Sequence, residues 1–130
     1  MKRVLILSSD PQAPSNVLLR EQLRKIQVQT LVADPRKCEW SQHDAIVFHA
    51  GKRLAKADLV IARLGFWTYT AGLTLQSSLE AHGYCSLNPM RSLVWVTQKP
   101  LFLAELKKNK IPTPETWFFH REENPRRWPI

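Results

Sequence analysis

The stretch Lys2-Arg3-Val4-Leu5-Ile6-Leu7-Ser8-Ser9-Asp10-Pro11 decides the fold. Its continuous apolar run, Val4 to Leu7, predicts a strand buried on both faces, as in a parallel sheet covered by helices. Ser8 to Pro11 then turn the chain. This turn holds no glycine, which excludes a dinucleotide fingerprint and a phosphate P-loop. Beyond it, Ser15 is suited to cap a helix whose Leu19, Leu23 and Ile26 form one stripe. Glu21 lies within helical reach of Arg24 and Lys25 on the other side. Val28, Leu31 and Val32 predict a second strand. Strand, helix and strand at this spacing make a βαβ unit with a right-handed crossover.

The same logic extends outward. Asp34 to Cys38 reads as a loop. Ala45 to Leu54 reads as a small β-hairpin turning near Gly51. Asp58-Leu59-Val60-Ile61-Ala62-Arg63-Leu64-Gly65 is the second strong parallel-strand signal. It ends in Arg63 and Gly65, at the carboxyl edge where open α/β sheets hold ligands. A surface arginine with a carboxylate partner and a plain turn glycine are the simpler roles for these two residues. Phe66, Trp67 and Tyr69 make the next loop rich in aromatics. Leu73, Leu75, Leu79 and His82 predict a helix that Gly83 terminates. Tyr84-Cys85-Ser86 predicts a short buried strand.

Leu87 to Pro114 reads as a helical hinge. Asn88 is placed to cap a first helix with Pro89 at its first position, and Thr97 to cap a second with Pro100 in its first turn. Phe102, Leu103 and Leu106 recur at helical spacing, and Ile111-Pro112-Thr113-Pro114 forces an extended chain. Lys99, at the start of the second helix, is either a solvated lysine or one that faces a phosphate. Thr116 to Phe119 predicts a further strand, and residues 121–130 a tail.

Composition sets the limits. The 130 residues suffice for one real core, and 44% hydrophobic with 23% charged residues is ordinary for a globular protein. No apolar run is long enough to span a membrane, and Val4 to Leu7 is too short for a signal-peptide core, so a cytoplasmic location is expected. Cys38 and Cys85 have no metal-ligand spacing, nor do His43, His49, His82 and His120. The net charge of +8, from 19 basic and 11 acidic residues, permits an anionic ligand. The basic residues form no stripe with interleaved aromatics, so nucleic acid is not the expected partner.

Several of these segments together resemble a known pattern. They are Ala33-Asp34-Pro35 with Cys38, Ala50-Gly51-Lys52-Arg53-Leu54, Ala57 to Gly65, and Tyr69 with Gly72. They continue through Glu80-Ala81-His82-Gly83, Leu87-Asn88, Gln98-Lys99 and Ile111-Pro112 with Pro114. In order and spacing the chain resembles the N-terminal part of RimK-like ligases of the ATP-grasp superfamily. The resemblance implies an α/β fold: a Rossmann-like open parallel sheet flanked by helices, with a small β-hairpin and a helical hinge toward an ATP-grasp domain. It implies a pre-ATP-grasp domain over residues 1–91, and over 92–120 the hinge helix and first strand of the ATP-grasp domain.

Such ligases join a carboxylate to an amine, often adding glutamate, with ATP and Mg²⁺ through an acyl-phosphate. By the same resemblance Lys99 matches a lysine that contacts nucleotide phosphates, and Arg63 and Gly65 match a loop on the substrate side. Gln98 stands where the family usually has Asp, and Pro100 follows Lys99. No glycine follows Gly83, and no cluster of acids able to hold Mg²⁺ follows Glu80. The expectation is therefore a truncated ligase domain, inactive alone, that binds no cofactor tightly and needs an ATP-grasp domain in cis or in trans. The alternative is a binding or scaffold module of the same fold without catalysis. Self-association through Trp117-Phe118-Phe119 is a further expectation.

Overall fold

Strand β1 (Arg3–Leu7) is the centre of the first layer, and Val4, Leu5, Ile6 and Leu7 are all buried. It pairs in parallel with β2 (Gln29–Ala33) on one side and β6 (Leu59–Ala62) on the other, and β7 (Cys85–Ser86) pairs with β6. The order β2-β1-β6-β7 is parallel throughout. The computed structural model that shows this describes residues 1–118.

Alternation along β1 sends its side chains to two cores. Val4 and Ile6 join Ile61 on one face, where Leu19 and Leu23 of α1 (Pro14–Lys25) pack with Val28 and Val32. Leu5 and Leu7 join Val60 on the other, against Leu75 and Leu79 of α2 (Tyr69–Ala81). Each such side chain, fully buried, contributes about 1.5–3 kcal/mol. The double burial explains why this strand has no polar alternation.

Between β2 and β6 the chain forms a small antiparallel sheet, ordered β3-β4-β5: β3 (Cys38–Trp40), β4 (Val47–His49) and β5 (Lys52–Arg53). The expected hairpin is there, with Ala50 and Gly51 both at positive φ, 49° and 75°. Two such residues form the tight turn whose twist suits a hairpin. The third strand, β3, corrects the expected loop at Cys38. Its pairing, Cys38 with His49 and Trp40 with Val47, is non-local and leaves little trace in three residues.

Several local expectations are also corrected. Cys85 is exposed rather than buried, because β7 is an edge strand of only two residues. Ala13, not Ser15, caps α1, and Ser15 lies inside its first turn. Ile26 follows the helix and is 68% exposed, so the apolar stripe ends at Leu23.

The chain divides into two compact units, Met1–Leu93 and a second beginning at Val94. The first thus runs on past Arg91. Helix α3 (Met90–Thr97) receives its first bonds at the Pro89 carbonyl, from the Ser92 and Leu93 amides, so Pro89 rather than Asn88 takes the cap position. Helix α4 (Lys99–Lys108) has Gln98, not Thr97, at its cap and Pro100 in the first turn. Phe102, Leu103 and Leu106 are half-buried. The following segment runs back beside Pro100, Leu103 and Lys107 through Thr113, Pro114 and Phe118. No strand forms over 116–118. With no described strand beside it, an apolar stretch alone does not extend a sheet. Phe119 and the expected tail at 121–130 lie outside the described residues.

Candidate functional site

In a parallel sheet all carboxyl ends lie along one edge, and the strand order reverses direction between β1 and β6. Connections from these two strands leave to opposite faces, opening a crevice at that edge. Two loops border it: Ser8 to Ala13 after β1, and Arg63 to Thr68 after β6.

The first loop is held from inside. The Ser8 amide donates to the Ala33 carbonyl at 2.9 Å. Buried Asn16 uses its Nδ2 amide to donate to Ser8 Oγ at 2.9 Å and to the Asp10 carbonyl at 2.7 Å. Asp10 Oδ1 accepts from the Gln12 amide. Asn16 Oδ1 is buried with no donor among the described residues.

The second loop carries the expected site residues. The Arg63 amide extends the β1 ladder, donating to the Leu7 carbonyl at 2.9 Å. Its exposed guanidinium donates from Nη2 to Ser15 Oγ at 2.7 Å, bridging the crevice to the first turn of α1. The expected carboxylate partner is therefore replaced by a hydroxyl. Gly65 has ordinary extended backbone, φ −91° and ψ 176°, and nothing lies within 4 Å of where its Cβ would be. Its amide donates to Thr68 Oγ1 at 3.0 Å, and buried Thr68 pins the turn from below. Gly72, by contrast, has a steric task. A Cβ there would overlap the Leu64 side chain, so α2 sits directly against the loop.

On this platform Phe66 and Trp67 stand 86% and 82% exposed, stacked edge to face at 5.1 Å between centroids. A cation, a hydroxyl, the positive end of α1 and two aromatic faces thus share one edge. That set can bind and orient an anionic or carbonyl group. It has no nucleophile paired with a base: no Ser or Cys side chain among the described residues hydrogen-bonds a His ring.

A neighbouring cluster at the end of β2 is structural. Asp34 receives a bidentate pair from Arg36, Nη2 to Oδ2 at 2.8 Å and Nε to Oδ1 at 3.1 Å. That hydrogen bonding, with the Arg36 amide, holds the Asp34 carboxyl below the usual range against the opposing effect of burial. His49 Nε2 accepts from the Asp34 amide at 3.2 Å, fastening the small sheet to β2.

Arg63 and Gly65 therefore lie together on the loop at the carboxyl edge of the sheet. Lys99 belongs to the second unit, exposed at the first position of α4. Ser15 and Asn16 complete the edge but were not legible as site residues. Their roles depend on which loop the β1–β6 register sets opposite α1. Among the described residues no three His, Cys, Asp or Glu side chains converge where a metal could be held, and no helix is long and apolar enough to cross a membrane.

An open parallel sheet of this order, flanked by helices, defines a Rossmann-like domain. The chain belongs to the RimK PreATP-grasp domain family, whose model matches residues 1–93. Similar solved structures include a RimK domain ATP-grasp protein from Sphaerobacter thermophilus DSM 20745, at 18% identity and TM-score 0.65 over 87% of this chain and 40% of that one. The ATP-grasp ligase PsnB complexed with a minimal precursor is 20% identical, with TM-score 0.64, over 88% of this chain and 45% of that one. PsnB complexed with precursor peptide PsnA2 and AMPPNP gives 19% and 0.63 over 88% and 45%. At such identities the likeness speaks for the fold. The chain spans less than half the length of these proteins. No curated relative matches it.

Proposed function

We propose that this chain serves as the substrate-side domain of an ATP-dependent carboxylate–amine ligase of glutamate type, and that it turns over no substrate alone. The observation that carries the reading is the family match over residues 1–93, with Arg63 at the carboxyl edge of the matched sheet. In the complete ligase ATP and Mg²⁺ would supply the activation, converting a carboxylate to an acyl-phosphate that the amine attacks. PsnB, one of the similar ligases, binds AMPPNP and a precursor peptide.

This chain's own contribution is binding and orientation. Arg63 would hold a substrate carboxylate, with Ser15 setting the plane of the guanidinium. Gly65 would let the substrate approach the backbone. Lys99 would meet nucleotide phosphates, its ammonium adding to the positive end of α4. No residue set among those described fits Mg²⁺, so the metal is assigned to an ATP-grasp domain supplied in cis or in trans. The setting is proposed to be cytoplasmic, where ATP is abundant.

The test is ADP release. The pure 130-residue chain, given ATP, Mg²⁺, glutamate and an amine acceptor, should release none above background. Sustained release would overturn the reading. In the complete ligase, Arg63→Ala should raise KM for the carboxylate substrate at least tenfold.

The exposed Phe66–Trp67 pair favours a second reading, a scaffold that docks a partner and has no catalysis. It differs in outcome: no ligation appears even when an ATP-grasp domain is present. Self-association through the Trp117–Phe118 segment, both residues at least half exposed, is checked by sedimentation across concentration.

A further inference from the structure

Helix α2 has two stripes. Gly72, Leu75 and Leu79 face the sheet and the loop below it. Tyr69, Gln76 and Glu80, spaced seven and four residues apart, share a neighbouring face. All three of these polar residues contact the same short segment, the one that leaves the first unit.

Gln76 is fully buried, and both donors of its amide are used. Nε2 donates to the Asn88 carbonyl at 2.6 Å and to Glu80 Oε1 at 2.7 Å. Both partners are acceptors, so the amide has only one orientation that works. The same Glu80 Oε1 accepts from the Met90 amide at 2.9 Å, at the positive end of α3. One turn later the Tyr69 hydroxyl donates to the Leu93 carbonyl at 3.2 Å. Leu93 is the last residue of the first unit.

We infer that Tyr69, Gln76 and Glu80 are positioning residues: together they clamp Asn88 to Leu93 onto α2 and turn the first turn of α3 into a rigid stem. The clamp rests on these contacts alone. Its use, to fix the point from which an ATP-grasp domain departs, rests on the ligase reading.

The residue types are specific to the task. A leucine at 76 would fill the same space and leave the Asn88 carbonyl without the Gln76 donor. A glutamine at 80 keeps one carbonyl oxygen able to accept from both Gln76 and Met90, whereas a leucine keeps none.

Residue-resolved amide hydrogen exchange on the 130-residue chain tests the clamp without ligand or turnover, so its outcome is separate from that of the ligase reading. Glu80→Leu and Gln76→Leu should speed exchange at Met90, Ser92 and Leu93 at least tenfold. The amides of β1 and β6 should hold their rates, and Glu80→Gln should exchange as the parent does. Unchanged exchange at Met90 to Leu93 would overturn the clamp. So would an equal acceleration in β1 and β6, which marks a general loss of stability, or a Glu80→Gln variant as fast as Glu80→Leu. Tyr69→Phe removes one hydroxyl and leaves the buried residues intact, so it remains informative if the leucine variants do not fold. It should accelerate exchange from Leu93 onward, and no change there would remove Tyr69 from the clamp.

Discussion

Cys38 and Cys85 show how two residues of one type acquire opposite chemistry. Burial, and to a lesser extent the Asp34 charge, push the Cys38 thiol up to about 11. Its Sγ lies 3.4 Å from the Asp34 carbonyl. At pH 8 about one part in a thousand of such a thiol is thiolate, the nucleophilic form. Cys85 is exposed on its edge strand. Iodoacetamide on the native protein at pH 8 should therefore alkylate Cys85 at least tenfold faster than Cys38, as read by peptide mass spectrometry. Equal rates would contradict the burial of Cys38. The sequence alone points the other way, since Tyr84-Cys85-Ser86 reads as a buried strand and Asp34 to Cys38 as a loop. Side-chain hydrophobicity could not show that β7 is two residues long and at the edge of its sheet.

At the scale of elements, α1, α2 and α4 end alike. The amide two residues past the cap bonds the carbonyl five residues back: Val28 to Leu23, Tyr84 to Leu79 and Ile111 to Leu106. The residue between is left-handed in each, Gln27 at φ 57°, Gly83 at 77° and Lys110 at 57°. This is the Schellman motif, and glycine is its natural occupant. Gly83 was legible as such a cap, whereas the end of α4 was legible only from Ile111-Pro112-Thr113-Pro114 beyond it. Gln27 and Lys110 are forced into the same geometry by the bonds around them, at about 1 kcal/mol each. Gln27→Gly should thus stabilise the protein by about 0.5 kcal/mol at most, because the larger unfolded-state entropy of glycine offsets roughly 0.4–1 kcal/mol of the relieved strain. A lower urea midpoint for the variant would show that Gln27 contributes contacts outweighing its strain.

At the scale of the molecule, the sheet and the residues around it are complete before α3 ends. Among the described residues, the buried hydrophobic ones run from Val4 to Leu79 and precede Leu93. A fragment of residues 1–93 should therefore unfold in a single cooperative urea transition, with its midpoint within roughly 0.5 M of the full chain. A fragment that is unfolded in buffer would mean that the second unit supplies stability to the first. The cut belongs after Leu93 rather than Arg91, because the Leu93 carbonyl still takes the Tyr69 hydroxyl.

What the sequence by itself determined was the parallel sheet. Val4 to Leu7 and Leu59 to Ala62 can be buried on both faces only between two layers of helix. It also placed Arg63 and Gly65 at a carboxyl edge, since strand direction follows from chain order in a βαβ unit. Tertiary structure alone decided what that edge contains. The β1–β6 register brings Arg63 to Ser15 across 48 positions of sequence, and no local pattern encodes such a pairing. It also decided that β3 joins the hairpin and that Gln76 and Glu80 hold the α3 stem. The β3 pairing is made by backbone groups, and the other contacts by polar side chains whose partners lie elsewhere along the chain. Hydrophobic periodicity carries no information about such partners.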